Sequence, residues 1–594
     1  MKKIKNKLLI PFSIIVAVTL FACSKSFLDK PPLGTLNPQI VASEDGIQGL
    51  LIGAYSLVDG EGASGDGFAS GASNWIFGGV TSDDAYKGSD PTDVAVAAPM
   101  ERWVDLTPTN GAIPQKWNLN YFAIQRCNGV LNTLAISEGI ADATKTGIIA
   151  QARFLRAYFH MDLKKIFGNI IPVDETVSQD NTAVSNADQA AVWALIVSDL
   201  TFAKDNLPET WSEVGRVNKW AAVCMLAKAY MYQHLEAQAL PLLTDAINNG
   251  KTTAGLKYKL NDNYYSNFNP AQKNSQESVF AAQTSVQDGS SVDWGGDPNG
   301  NYGDILNFPY TGGPGGCCGF YNPSQDLANA FKTDANGLPL FDSWYTGLNV
   351  SDATTPYTGT LDPRIDWTMG RKPIPYLDWG NHPGADWIRN PVNDGLFSPK
   401  KNVYSASQKG AFTDVGSSYW GPTQLVANNV NIIRFADVYL WRAECEYSSN
   451  LTAAMDDVNM VRNRVADHPE TWVKTGADYN AATATYGAAG ANADNYLIKP
   501  YTAATFTAAN ALKAIQFERR LELAMEGQRF FDLVRYGIAA PTINAYIARE
   551  AVNRPLKVGA NFTAGKNEIM PLPQGEVDNL NSDGTIRLTQ NPNY

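Results

Sequence analysis

Four stretches of this 594-residue chain repeat apolar residues at three- and four-residue spacing, and they fall into two groups with a long aperiodic stretch between them. "IIAQARFLRAYFHMDLKKIFG" (148–168) closes on Gly168, a helix C-cap signal. "NKWAAVCMLAKAYMYQHLEAQALPLLTDAINNG" (218–250) reads as two helices, with Ala221, Ala222, Ala227 and Ala229 allowing close approach. "IIRFADVYLWRAECEYSSNLTAAMDDVNMVRNRV" (432–465) repeats that shape with a break near Ser448–Asn450, and 507–537 is a further helical stretch. Helix pairs with alanine at the contacts predict a mainly α protein built on a tetratricopeptide-like superhelix. The scaffold is placed at about 114–285 and 426–540.

Residues 59–121 and 285–425 are rich in Gly, Asn, Asp, Pro, Trp and Tyr and carry little helical period. Long irregular stretches in a compact protein are functional or disordered, and the many aromatics argue against disorder. They are expected to form a large loop-rich, ligand-binding half. No Pro/Ser linker or charge run divides the chain, so residues 23–594 are read as one domain.

Lys2, Lys3, Lys5 and Lys7 precede an apolar run from Leu8 to Phe21. Its fourteen residues are too few to span a hydrocarbon core of ~30 Å, so residues 1–22 read as a cleaved signal. "LFAC" resembles a lipobox, which makes Cys23 the lipidated residue. Acyl chains contribute ~0.8 kcal/mol per buried methylene and would anchor the chain firmly to a membrane. Without residues 1–22 the chain has 43 basic and 59 acidic residues, a net charge of −16. That excludes a nucleic-acid partner, whose phosphates need a basic footprint. Cys127, Cys224 and Cys445 lie in apolar helical stretches and read as small buried hydrophobes.

Enzyme constellations are missing. Glu518, Glu522 and Glu526 share one helical face, but Arg519, Arg520, Arg529 and Arg535 are interleaved with them. Such arginines keep carboxylates ionised, so the cluster reads as structural. There is no G-x-S-x-G, Walker loop or H-E-x-x-H, and nothing selects a glycosidase carboxylate pair. "DPNGNYGD" (297–304) has Tyr302 and Phe308 where a calcium loop wants Gly and Glu. Four scattered histidines and no C-x-x-C argue against zinc. No catalytic residue, metal or cofactor is expected.

The segments "CSKSFLDKPPLG", "AQARFLRAYFHMDLKKIFGNIIPV", "GRVNKWAAVCMLAKAYMY", "DPRIDWT", "IIRFADVYLWRAECEY" and "FERRLELAMEGQRFFDLVRYG" follow one another in this order. Together with the C-terminal "PLPQGEVDNLN" they make the chain resemble the SusD/RagB family of nutrient-uptake lipoproteins nearly end to end. The resemblance implies a non-enzymatic binding protein on the outer face of the outer membrane, acting as the lid of a SusC-like TonB-dependent transporter. It implies a neutral glycan as ligand, or a peptide as in RagB-like members. The loop pattern points first to a fructan and next to a β-glucan.

Sugar rings stack apolar C–H faces on flat surfaces, while carboxylates, amides and guanidinium groups take their hydroxyls. On that basis Asp59, Asp83, Asp84, Trp103, Arg389, Tyr404 and Trp420 are candidate ligand-binding residues, with Trp387 either a loop anchor or a platform. Cys317 and Cys318 stand in "GGPGGCCGF". They could bond to each other, stay as thiols, or bridge to other cysteines; flanking glycines give the backbone the freedom a vicinal ring requires. The resemblance favours the vicinal disulfide, whose flat apolar knob would join the ligand-binding set.

Overall fold

A computed structural model describes residues 41–62, 67–177, 184–290, 299–350, 355–415 and 424–594. Helices of seven residues or more are numbered in chain order: α1 (Glu44–Tyr55), α2 (Ala112–Ala135), α3 (Asp142–Phe167), α4 (Gln189–Asn206), α5 (Lys219–Tyr232) and α6 (Glu236–Asn249). After a long interruption come α7 (Phe435–Glu446), α8 (Leu451–Ala466), α9 (Ala511–Glu522), α10 (Arg529–Arg535), α11 (Ala539–Glu550) and α12 (Gln574–Leu580).

Local chemistry sets the ends of these helices. Asp188 and Asn218 cap α4 and α5 by accepting backbone N–H bonds from the first turn, and Asn450 does the same for α8. Gly168 ends α3 at φ +68°, returning its N–H to the Lys164 carbonyl at 3.0 Å. Each helix from α2 to α6 packs on the next, α6 then packs on α7, and α9 lies against α7 and α8. The array is thus a tetratricopeptide-like superhelix, continuous in space although broken in sequence. Ala221, Ala222, Ala227 and Ala229 are all buried in α5, where short side chains let its neighbours close in.

A two-stranded clamp shuts the base of the interruption. β1 (Ser278–Ala282) pairs antiparallel with β2 (Val430–Arg434), with Phe280 opposite Ile433 and Ala282 opposite Val430. The chain leaves the helices at β1, builds the loop-rich half, and returns at β2 directly into α7. That half has its own apolar core around Phe308, Trp367, Tyr376 and Tyr404, joined by Tyr265 from the segment before β1.

The first loop-rich stretch differs from expectation. Between residues 67 and 89 every residue except Ser73 is buried, and α2 already begins at Ala112. This segment threads through the molecule instead of covering it. Gly78 and Gly527 mark its closest crossing: a Cβ on Gly527 would overlap the Ser73 carbonyl oxygen, and one on Gly78 the Gly527 carbonyl oxygen. Gly527 also sits at φ +65°. Both obstacles are backbone atoms, so no rotamer relieves them. Gly527→Ala is expected to destabilise the fold by about 3 kcal/mol or more, read from urea midpoints.

Buried ion pairs lock the halves together. Glu522 meets Arg364 at 3.0 Å, Arg434 at 2.9 Å and Arg464 at 2.6 Å. Glu518 meets Arg364 at 2.7 Å and Arg462 at 2.8 Å, and Glu526 meets Arg434 at 2.8 Å and Lys401 at 2.7 Å. Arg364 and Lys401 come from the loop-rich half, Arg434 from the clamp, and Arg462 and Arg464 from α8. The carboxylates are therefore joints between substructures.

Candidate functional site

The structure separates the residues selected from sequence. Asp83 and Asp84 are buried: Asp83 is held by Arg529 at 2.8 Å and Arg520 at 3.0 Å, and Asp84 by Arg520 at 3.0 Å. Burial alone would push the Asp83 carboxyl up, but the two guanidiniums outweigh it and hold it low. Both aspartates leave the ligand-binding set as structural ion-pair partners. Trp103 leaves it too. Its ring packs on Phe530 and Phe562 at centroid distances of 5.1 and 4.9 Å, and its Nε1–H donates to the Thr81 carbonyl. Trp420 and Cys23 lie outside the described residues.

Cys317, Cys318 and Arg389 do converge on one surface of the loop-rich half, where Gly319 lies against Arg389, and Tyr404 sits beneath it. The sulfurs of Cys317 and Cys318 are bonded to each other across a cis peptide. Cys317 is half-buried and Cys318 buried. Gln424 holds the pair from behind, its Nε2 donating to the Ile305 and Cys317 carbonyls at 3.0 Å each and lying 3.6 Å from the Cys318 sulfur. Tyr404 is buried, and its hydroxyl accepts from Gly315 N–H at 3.3 Å, so it braces the loop from beneath and does not face solvent.

Trp387 is the anchor of this loop. A Cβ on Gly312 or Gly313 would run into its indole, so glycine is what lets the chain lie flat on the ring. Tyr376 and His382 meet Trp387 edge-on at 5.4 and 5.0 Å. Burial lowers the His382 imidazole to about 3, so it supports the indole as a neutral ring.

Beside the disulfide stand two groups of different character. Tyr310, 37% exposed, is tied to the Trp387 carbonyl through its N–H at 2.9 Å. The Arg389 guanidinium lies over its ring at 5.1 Å. Arg389 Nη1 donates to Asp93 at 2.6 Å and Ser89 at 2.8 Å. Among the described residues its Nε and Nη2 meet no acceptor. Ser89 and Asp93 reach this place because residues 85–88 run antiparallel to 320–323 and Ser89 N–H bonds the Gly319 carbonyl at 2.6 Å. The result is a guanidinium of fixed orientation next to a phenol face and a flat disulfide. Tyr310 carries no sequence signal beyond an aromatic standing just before the glycine run.

Asp59 lies elsewhere, in a cleft of about 370 Å³ beside α1 and β1. Among the described residues no group of three or more His, Cys, Asp or Glu side chains is arranged to hold a metal ion. Asp297 of the turn-rich loop is outside them, while Asn301 and Asp304 are buried and bonded to each other.

The family model described as "SusD family" matches residues 276–594, and the one described as "Starch-binding associating with outer membrane" matches residues 69–231. SusD-like protein P25 of Formosa agariphila is 24% identical over 567 residues, 90% of each chain. A SusD-like protein of Bacteroides ovatus is 26% identical over 378 residues, 60% of this chain and 64% of its own. Among solved structures, one described as a laminarin binding SusD-like protein superposes with a TM-score of 0.65 at 23% identity, over 93% of this chain and 99% of its own. Surface glycan-binding protein A of Bacteroides thetaiotaomicron, in complex with laminarihexaose, gives 0.63 at 19% identity over 92% and 99%. At these identities the structural likeness is one of fold.

Proposed function

The chain belongs to the SusD family, and on that premise we propose that it is a non-catalytic, cell-surface glycan-binding lipoprotein. The convergence of Tyr310, the Cys317–Cys318 disulfide and Arg389 on one surface carries this reading. A sugar ring can lay an apolar face on the phenol or the disulfide while the free edge of the guanidinium takes its hydroxyls. Asp93 is engaged by Arg389, which suits binding better than proton transfer. Lipid on Cys23 would hold the protein at the outer membrane, where it would close as a lid over a SusC-like TonB-dependent transporter. A lid must release its cargo inward, which fits micromolar affinity, about 8 kcal/mol.

Two of the similar structures are of proteins described with laminarin or laminarihexaose, which supports a neutral glycan and puts laminarin beside the fructan expected from the loop pattern. Native electrophoresis through gels containing laminarin, fructan, xylan, mannan or α-glucan tests the reading. Retardation by at least one neutral polysaccharide is the expected result. Free migration in every gel, with binding of a peptide library instead, would replace it by peptide capture.

A further inference from the structure

The cleft that holds Asp59 shares none of its lining with the disulfide surface. It opens between the C-terminal end of α1, the turn at residues 213–216 and the outer edge of β1, and its volume is about 370 Å³. Phe280, Ala281 and Tyr55 contribute to a mostly apolar wall, and Ile52 stands beside it 57% exposed. That size is that of a small-molecule site, and the apolar wall faces polar side chains that include Ser56, Asp59, Arg216, Gln283 and Asn299.

The polar groups are held in place before any ligand arrives. Arg216 is fixed by Gln48 at 3.3 Å, Gln151 at 3.2 Å and Glu213 at 2.9 Å. Tyr55 donates to Gln151 at 3.0 Å and accepts from Val217 N–H at 3.1 Å. Asp59 Oδ1 accepts from Glu61 N–H at 2.8 Å, and the backbone amides of Asp59 and Gly60 also face its carboxyl. Among the described residues no ion pair joins Asp59 to Arg216. Burial raises the Asp59 carboxyl to about 7, consistent with a group that has lost water without gaining a cation.

These features select a ligand chemistry. An anion would meet Asp59 and Glu213, a cation would meet Arg216, and a purely apolar ligand would leave the Asp59 carboxyl unsatisfied. A neutral ring with apolar faces and hydroxyls at its edge suits both walls. We propose that this cleft is a second sugar-binding subsite, distinct from the disulfide surface, taking one or two rings of a neutral oligosaccharide with the Asp59 carboxyl at its wall bonding a ring hydroxyl. The inference rests on the glycan reading above.

Calorimetric titration of the full chain, purified in detergent, with laminarihexaose and with a fructan hexasaccharide separates the two readings. Wild type is expected to take two molecules of one probe per chain. Asp59→Ala should weaken one of the two sites about tenfold, a change of about 1.4 kcal/mol. Ser56→Trp, at an exposed rim position, should abolish the same site while the melting temperature stays unchanged. Tyr310→Ala should remove the other. Two unaltered sites in both cleft variants, or a single site in wild type that only Tyr310→Ala removes, would overturn the subsite and leave the glycan reading standing. No uptake of either probe or of the gel polysaccharides would overturn both.

Discussion

Glu522→Gln is expected to destabilise the protein by about 3–5 kcal/mol, the range for removing one partner of a buried ion pair. Glutamine keeps the shape of the side chain but withdraws the charge facing Arg364, Arg434 and Arg464. It also turns an amide N–H toward guanidinium donors, so one of these arginines loses its acceptor in a place water does not reach. The effect has a pH signature. Burial alone would push the Glu522 carboxyl up, but Arg464, Arg434 and Arg364 outweigh it and hold it well below the usual range. A carboxyl depressed on folding contributes stability that is complete above its unfolded value, about 4.3, and fades as the pH falls toward the folded value. Urea unfolding of wild type and variant should therefore differ most near pH 7 and draw together below about pH 4. Equal midpoints at pH 7 would mean that the network is dispensable.

The second large effect is on ligand. Tyr310→Ala and the double change Cys317→Ser, Cys318→Ser are each expected to weaken retention in the responsive polysaccharide gel about tenfold or more, about 1.4 kcal/mol per stacking surface. Thermal melting should stay close to wild type, because Tyr310 is exposed and the disulfide closes no long loop. Trp103→Ala provides the contrast. Removing that buried indole should lower stability by about 3–5 kcal/mol and reduce retention only as far as the protein unfolds. Retention lost in Trp103→Ala at full stability, with Tyr310→Ala unaffected, would move the binding surface away from the disulfide.

The helix pairs were legible because an amphipathic helix writes its period into neighbouring residues, and the breaks at 233–235 and 447–450 fall at turns. The Cys–Cys pair was legible because two adjacent cysteines in a glycine-rich loop stand out. Asp83, Asp84 and Trp103 misled for a common reason. Their partners, Arg520, Arg529, Phe530 and Phe562, lie more than 400 residues away, and local composition cannot distinguish a polar loop in water from one buried against arginines. Tyr310 escaped notice because its significance comes from Arg389 lying over it, a relation that exists only in three dimensions.

The β1–β2 clamp has a consequence for how such chains diversify. Neighbouring strands lie about 5 Å apart, so the stretch between β1 and β2 enters and leaves the helix array through one narrow doorway. It is a cassette that the array can carry without changing its own stacking, and its loops are free to lengthen or be exchanged as the cargo changes. The doorway is keyed, however. Arg364 and Lys401 travel with the cassette and must find Glu518, Glu522 and Glu526 waiting in the host. Swaps that preserve this charge pattern should yield folded hybrids with new cargo, and swaps that break it should fail before the question of binding arises.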